Sequence, residues 1–286
     1  MNSNPPSIII DCNYLCYVSR FAMSDGLTYR GSNTEIIFGF LRQILTIAER
    51  FEPDRFFFCW DSRESIRKEM FPSYKGNRRP DSRPEEEKEL DFVAFKQFDE
   101  IREQVLPNMG FRNNYQVDGY EGDDLIAVLV KKLSPPIVVA ASDNDLFQLL
   151  SFCSLYNVSK KSLTTEQEFK RTYGICPEQW VDVKSLAGCP GDNVPGIPGV
   201  GTKTAIRYIK GELTKGKAFD SIASAAGLRD LNRSLVALPL NDIPLPIYKV
   251  DNLISTSVQE VLRDYGLASL LKEPTWSKWV KLFHLQ

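Results

Sequence analysis

Three short apolar runs, each followed by acid, constrain this chain most. Ile8-Ile9-Ile10 closes on Asp11, and Phe56-Phe57-Phe58-Cys59-Trp60 closes on Asp61. Ile137-Val138-Val139-Ala140-Ala141 leads into Ser142-Asp143-Asn144-Asp145. These runs are too short for core helices and too apolar for half-exposed strands, so they read as buried parallel strands. Cys153 to Val158 reads as a further strand. Helical stripes lie between them. Asn33 or Thr34 can cap a helix over 35–50, with Ile36, Ile37, Phe40, Ile44 and Ile47 on one face. A second helix runs over 85–106, with Leu90, Val93, Phe98, Ile101 and Val105 near one face. Alternation of this kind predicts an α/β fold, a mostly parallel sheet flanked by helices.

Such a sheet binds ligands beyond the carboxyl ends of its strands. Asp11, Asp61, Asp143 and Asp145 all sit there. Gly119-Tyr120-Glu121-Gly122-Asp123-Asp124 adds three carboxylates where the helix Leu125 to Lys132 begins. Acids at a helix start complement its dipole, and for any one of them that is reason enough. Three so close together repel, and a cation is the usual remedy. Asp192, in a later glycine-rich loop, makes eight carboxylates for one cleft. Hard oxygen donors point to Mg²⁺, with Mn²⁺ as a substitute, rather than to zinc. Two such ions about 4 Å apart suit phosphodiester hydrolysis.

Two other stretches supply positive charge. Residues 62–89 have no apolar period, and Tyr74-Lys75-Gly76-Asn77-Arg78-Arg79 sets cations beside an aromatic ring. That pairing suits a phosphate and a stacked base of single-stranded nucleic acid, and it follows Asp61 closely. Gly196-Ile197-Pro198-Gly199-Val200-Gly201 lies between two short helices, with Thr202 as the expected cap and Lys203 and Arg207 beyond. Glycines such as Gly199 and Gly201 let backbone amides approach a phosphate.

Composition narrows the rest. A net charge of −2 gives no global signal for nucleic acid, so only these local patches can supply one. The six cysteines form no C-x-x-C pair and there is one histidine, His284, so a zinc site and imidazole catalysis are both disfavoured. Reduced thiols fit a cytoplasmic protein. No run approaches the roughly 20 apolar residues of a membrane span, and Met1 to Ser7 does not read as a signal peptide.

Together these motifs resemble the 5′ nuclease (flap endonuclease) family, which includes phage 5′→3′ exonucleases and the 5′ nuclease domain of bacterial DNA polymerase I. The match runs from Ile8-Ile9-Ile10-Asp11 to about Pro246. Its specific parts are Tyr74 to Arg78, Gly119 to Asp124, Ser142 to Asp145 and Gly191 to Ala205. The resemblance implies a PIN-like core over 1–180, a helical arch over about 62–90, and a helix–hairpin–helix-type DNA-binding domain over 181–286. It implies Mg²⁺-dependent cleavage of DNA with single-stranded 5′ ends or flaps, by a monomer, in a bacterial or phage-infected cytoplasm. Asp11, Asp61, Glu121, Asp123 and Asp124 look like the first metal site and its surroundings, and Asp143, Asp145 and Asp192 like the second. Lys75 and Arg78 look like arch cations acting on the scissile phosphate, and Lys184 like a further phosphate contact. Backbone carbonyls near Val194, Ile197 and Val200 look like a K⁺ site.

Two departures stand out. Members mostly read Asp-Gly after the first strand, where this chain reads Asp11-Cys12-Asn13. Many carry two aspartates three apart in the glycine-rich loop, where this chain has Cys189 and Asp192. A thiol is a poor partner for Mg²⁺, so the second metal site is expected to be weakened. A DNA-binding protein of the same fold with weak or one-metal catalysis is therefore the competing expectation. A PIN-type ribonuclease is a third, disfavoured by the hairpin module.

Overall fold

The computed structural model describes residues 4–22, 26–78 and 82–286. The expected strands are present. They are β1 (Ser7–Asp11), β4 (Arg55–Trp60), β6 (Ile137–Ala140) and β7 (Ser154–Asn157). Short strands that lack a clear apolar run went unread. These are β5 (Asn114–Gln116), β8 (Ser162–Thr164) and a small hairpin of β2 (Thr28–Tyr29) and β3 (Ser32–Asn33).

The main sheet has the order β5-β4-β1-β6-β7-β8 and is parallel except for β8 at one edge. After β1 the chain builds outward on one side, through β4 to β5. It then crosses back over the sheet in helix Gly122–Lys132 and builds the other side from β6. The order therefore reverses between β1 and β6, the position beyond whose strand ends such sheets bind ligands.

Side chains alternate between the two faces with period two. Ile8, Ile10, Phe56, Phe58 and Trp60 pack with Phe40 and Ile44 of helix Glu35–Phe51. Ile9, Phe57, Cys59 and Val139 face Leu125, Ile126 and Leu129 of the crossover helix. Helix Glu35–Phe51 has Thr34 at its cap position, but that hydroxyl bonds Leu27 O (3.4 Å) rather than a helix amide. Helix Glu85–Glu100 continues through a widened turn, Ile101–Val105, into Leu106–Met109. Leu90 is exposed there rather than on the apolar face.

Apolar packing is continuous across residue 180. Val183, Leu186, Ile197, Val200 and Ala205 belong to the same cluster as Ile9 and Leu125. Val258, Leu262, Leu267 and Trp279 return to the opposite face and join Ile8 and Phe40. The helical C-terminal part is thus wrapped around both faces of the sheet. Thr202 also differs from expectation. Helix Thr202–Ile209 starts with Gly201 at the cap position and without a side-chain cap bond, so Thr202 lies inside the first turn.

Candidate metal centre

β4, β1 and β6 are neighbours, and strands lie about 4.8 Å apart, so acids at their ends fall within roughly 10 Å. Asp11 ends β1, Asp61 follows β4, and Asp143 follows β6. Each is fixed by local hydrogen bonds. Tyr14 N–H donates to Asp11 Oδ1 (2.9 Å), Gly122 N–H to Asp61 Oδ1 (2.8 Å) and Asp145 N–H to Asp143 Oδ1 (2.8 Å). The Asp61 amide in turn donates to Asn13 Oδ1 (3.2 Å). Asn13 thus braces the centre in the segment that departs from the Asp-Gly pattern.

These acids crowd one another. Burial, then Asp61 and Asp143, push the Asp11 carboxyl up to about 7. Burial, then Asp143, Asp11 and Asp61, push Asp123 well above the usual carboxylate range. Burial also raises Asp61 and Asp143. Four raised carboxyls, with Asp11 and Asp123 raised by others of the group, Asp61 by Glu121 and Asp143 by Asp145, form an oxygen donor set that a hard divalent cation would relieve. The four acids fit such an ion in donor chemistry; among the described residues, the group whose ligand atoms close to within 4.8 Å of one another is Asp145, Cys189 and Asp192.

The sign of the pH effect follows. Acids raised in the fold bind protons more tightly there than in the unfolded chain. Their stabilising contribution is present below about pH 4 and is lost as pH rises toward about 7. In EDTA the melting temperature should therefore fall between pH 5 and pH 8. Mg²⁺ should raise it at pH 8 and barely change it at pH 5. A metal effect equal at both pH values would contradict the crowded-carboxylate account.

Glu121 and Asp124 behave differently. Glu121 caps helix Gly122–Lys132 in a reciprocal capping box with Asp124. Asp124 is fully buried and receives both guanidinium arms of Arg67, at 2.6 and 2.8 Å, with the Leu240 N–H at 2.8 Å. Its oxygens are thereby committed within the protein. Arg67, itself 1% exposed, also donates to Leu235 O (2.8 Å). Glu121 accepts Lys75 Nζ (2.6 Å) and the Tyr74 hydroxyl (3.0 Å).

The base of the basic segment is clasped to the glycine-rich loop. Lys75 N–H donates to Asp192 O (2.8 Å), Asn77 to Pro190 O (2.8 Å), and Asn193 to Ser73 O (2.7 Å). Arg78 pairs with the Asp192 carboxylate. Tyr74 corrects an expectation. It is 2% exposed, packs with Val181, Val194 and Leu235, and sends its hydroxyl to Glu121 and Asp192. It has no ring face for a base, because the loop covers it. Arg79 lies outside the described residues.

Beside Asp192, the ligand atoms of Asp145, Cys189 and Asp192 lie within 4.8 Å of one another. Lys184, expected to meet phosphate, has Nζ 2.5 Å from Asp145 Oδ1 and 3.8 Å from Cys189 Sγ. Burial and then Asp145 push the Cys189 thiol up to about 12.

The hairpin is held from within and open outside. A side chain at Gly196 would meet Ala187 O at 2.2 Å, and one at Gly188 (φ +75°) would meet Gly196 N at 2.4 Å. Buried Asn232 donates to Ser185 O (3.0 Å) and Pro195 O (2.6 Å). Gly199, Gly201, Lys203 and Arg207 are exposed. Val194 O and Ile197 O accept the amides of Cys189 and Val200. Arg67, Asn13 and Asn232 are the supporting residues that sequence reasoning missed, because each acts on a partner remote in the chain.

Fold and site together define an α/β protein with acids gathered at the carboxyl ends of its parallel strands. Residues 6–174 match the family described as 5′-3′ exonuclease, N-terminal resolvase-like domain. The chain belongs to that family. It is 33% identical over 207 residues to the thermostable DNA polymerase I of Thermus thermophilus, covering 71% of this chain and 24% of the relative. It is 30% identical over 236 residues to DNA polymerase I of Bacillus subtilis, covering 79% and 26%. The chain thus spans about a quarter of the length of these relatives. The bacteriophage T5 flap endonuclease, solved as a pseudo-enzyme–product complex with DNA and metal ions, shares the fold. Its TM-score is 0.70 at 21% identity, covering 91% of this chain and 99% of that one. Among the described residues no helix is long and apolar enough to cross a membrane.

Proposed function

We propose that this chain is a Mg²⁺-dependent 5′ nuclease on DNA. It hydrolyses phosphodiester bonds at or near free 5′ ends, both stepwise and at single-stranded flaps, in replication or repair in the cytoplasm. The observation that carries this reading is the convergence of Asp11, Asp61, Asp123 and Asp143 at the switch point of the sheet, where the charges of the others raise Asp11 and Asp123. Relatives named DNA polymerase I and a DNA-bound flap endonuclease of the same fold support it.

Asp11, Asp61, Asp123 and Asp143 would hold the divalent cation. Bound there, it would supply an activated water and neutralise charge developing on the phosphate. The chain's own groups do the rest. Gly122 N–H and Asn13 aim Asp61, and the β1 turn aims Asp11. Lys75 and Arg78 sit at the rim, held by Glu121 and Asp192, where a phosphate can compete for them. Burial opposes the Lys75 charge, but Glu121, Asp192 and Asp61 outweigh it and keep the ammonium protonated. Gly199, Gly201, Lys203 and Arg207 present amides and cations to the duplex backbone without reading bases. Carbonyls of Val194, Ile197 and Val200 would take a K⁺ there, and a monomer suffices.

A 5′-labelled flap DNA tests the proposal. Cleavage near the flap junction is expected in Mg²⁺ or Mn²⁺ and is expected to vanish in EDTA. Tight binding with no cleavage in any divalent metal would favour the competing reading, in which Cys189 leaves a binding protein. Preferential cleavage of RNA would overturn the DNA assignment.

A further inference from the structure

The mixed donor set around Cys189 does not fit Mg²⁺. Two of its members, Asp145 and Asp192, are each 7% exposed, and the third is a half-buried thiol. The three ligand atoms lie within 4.8 Å of one another, close enough for one ion to touch all three. Their backbone is pinned. Cys189 and Val194 exchange both backbone hydrogen bonds at 3.0 Å, and Asp192 N–H donates to Cys189 O (3.0 Å). Asp145 lies in a short helical turn whose amide bonds Asp143. Its Oδ1 has Lys184 Nζ 2.5 Å away but makes no directional hydrogen bond, and its Oδ2 accepts weakly from Cys189 Sγ at 3.4 Å. The carboxylate is thus held by charge on one side and by a soft donor on the other.

We propose that Asp145, Cys189 and Asp192 form a site selective for a borderline-soft divalent cation, Zn²⁺ or Co²⁺, over Mg²⁺. Thiolate sulfur binds such ions well and carboxylate oxygen is also a ligand for them, whereas Mg²⁺ favours oxygen only and keeps its waters. Binding makes one metal–sulfur bond and breaks the S–H bond, with the proton released to solvent. The ion replaces the charge that Lys184 and Arg78 now supply to Asp145 and Asp192. The two cations are then free to turn toward an anion at the rim. The chain therefore carries two unlike centres side by side, one all-oxygen and one with sulfur. The inference deepens the metal-dependent reading of this cleft, but its test needs no cleavage.

Co²⁺ is titrated into the full-length protein carrying Cys176→Ser, which removes the exposed thiol. A near-ultraviolet thiolate-to-cobalt band should grow to one equivalent. It should be absent in Cys189→Ser and in Cys189→Asp. Zn²⁺ should abolish the band at concentrations at least about 100-fold below those of Mg²⁺. In Cys189→Asp, Mg²⁺ should bind more tightly by about tenfold or more in calorimetry, which also shows that the site still folds. No band, a band that survives Cys189→Ser, or equal competition by Mg²⁺ and Zn²⁺ would overturn the inference. Flap cleavage by the same protein in Mg²⁺ is scored separately, so loss of this site and loss of nuclease activity are distinguishable.

Discussion

Asp123→Ala should lower single-turnover cleavage of flap DNA at least about 1000-fold, roughly 4 kcal/mol on the barrier. Asp123 lies in the first turn of the crossover helix, where it feels the charges of Asp143, Asp11 and Asp61 together. Removing it takes a ligand from the centre of the group rather than from its rim. The same change should stabilise the protein in EDTA at pH 8. It removes a half-buried carboxyl crowded by the charges of Asp143, Asp11 and Asp61, so the unfolding midpoint should rise while activity disappears. Activity and stability moving in opposite directions is the mark of a strained functional site. Affinity for flap DNA in EDTA should not fall, because the change removes no group that attracts phosphate. Residual cleavage within tenfold of the unaltered protein would remove Asp123 from the centre.

How far the sequence led depended on the distance over which each residue acts. Asp11, Asp61 and Asp143 were legible because their neighbours alone declare buried strands, and parallel strands bring their carboxyl ends to one edge. Asp123 was legible because a helix start beside them has nowhere else to point. β5 escaped notice because Asn-Tyr-Gln carries no apolar run. It is a strand because Phe58 and Trp60 register against it. The C-terminal return was also hidden. Val258, Leu262 and Trp279 mark an amphipathic stretch, but nothing in it says which face of the sheet it will cover. Tyr74 looked like a stacking ring because its sequence neighbours are cations. The loop that buries it lies more than a hundred residues away, at Asp192. The Cys189 substitution was visible at once, but its pairing with Asp145 required coordinates.

Arg67 shows the same lesson at the largest energetic scale. In the sequence it is one more base in a polar insertion. In the fold it is the only bridge, among the described hydrogen bonds of Asp124, from that insertion to the crossover helix, 57 residues away. Arg67→Met should cost about 3–5 kcal/mol, because Asp124 is then a fully buried anion without its partner. For a chain of this size that is roughly 2 °C per kcal/mol, a drop in melting temperature on the order of 6–10 °C. The double variant Arg67→Met with Asp124→Leu should recover most of the loss, since apolar groups of similar volume tolerate the site. The Leu240 N–H and Leu235 O would still lose their partners, so recovery should be incomplete. Denaturant unfolding of the two single variants and the double variant measures the coupling directly. Losses that simply add would show that the pair is not the clamp. The consequence reaches the site, because Arg67 and Asp124 fix the helix start that carries Glu121 and Asp123. Arg67→Met should therefore also loosen divalent-metal binding in calorimetry, at a temperature well below its unfolding midpoint.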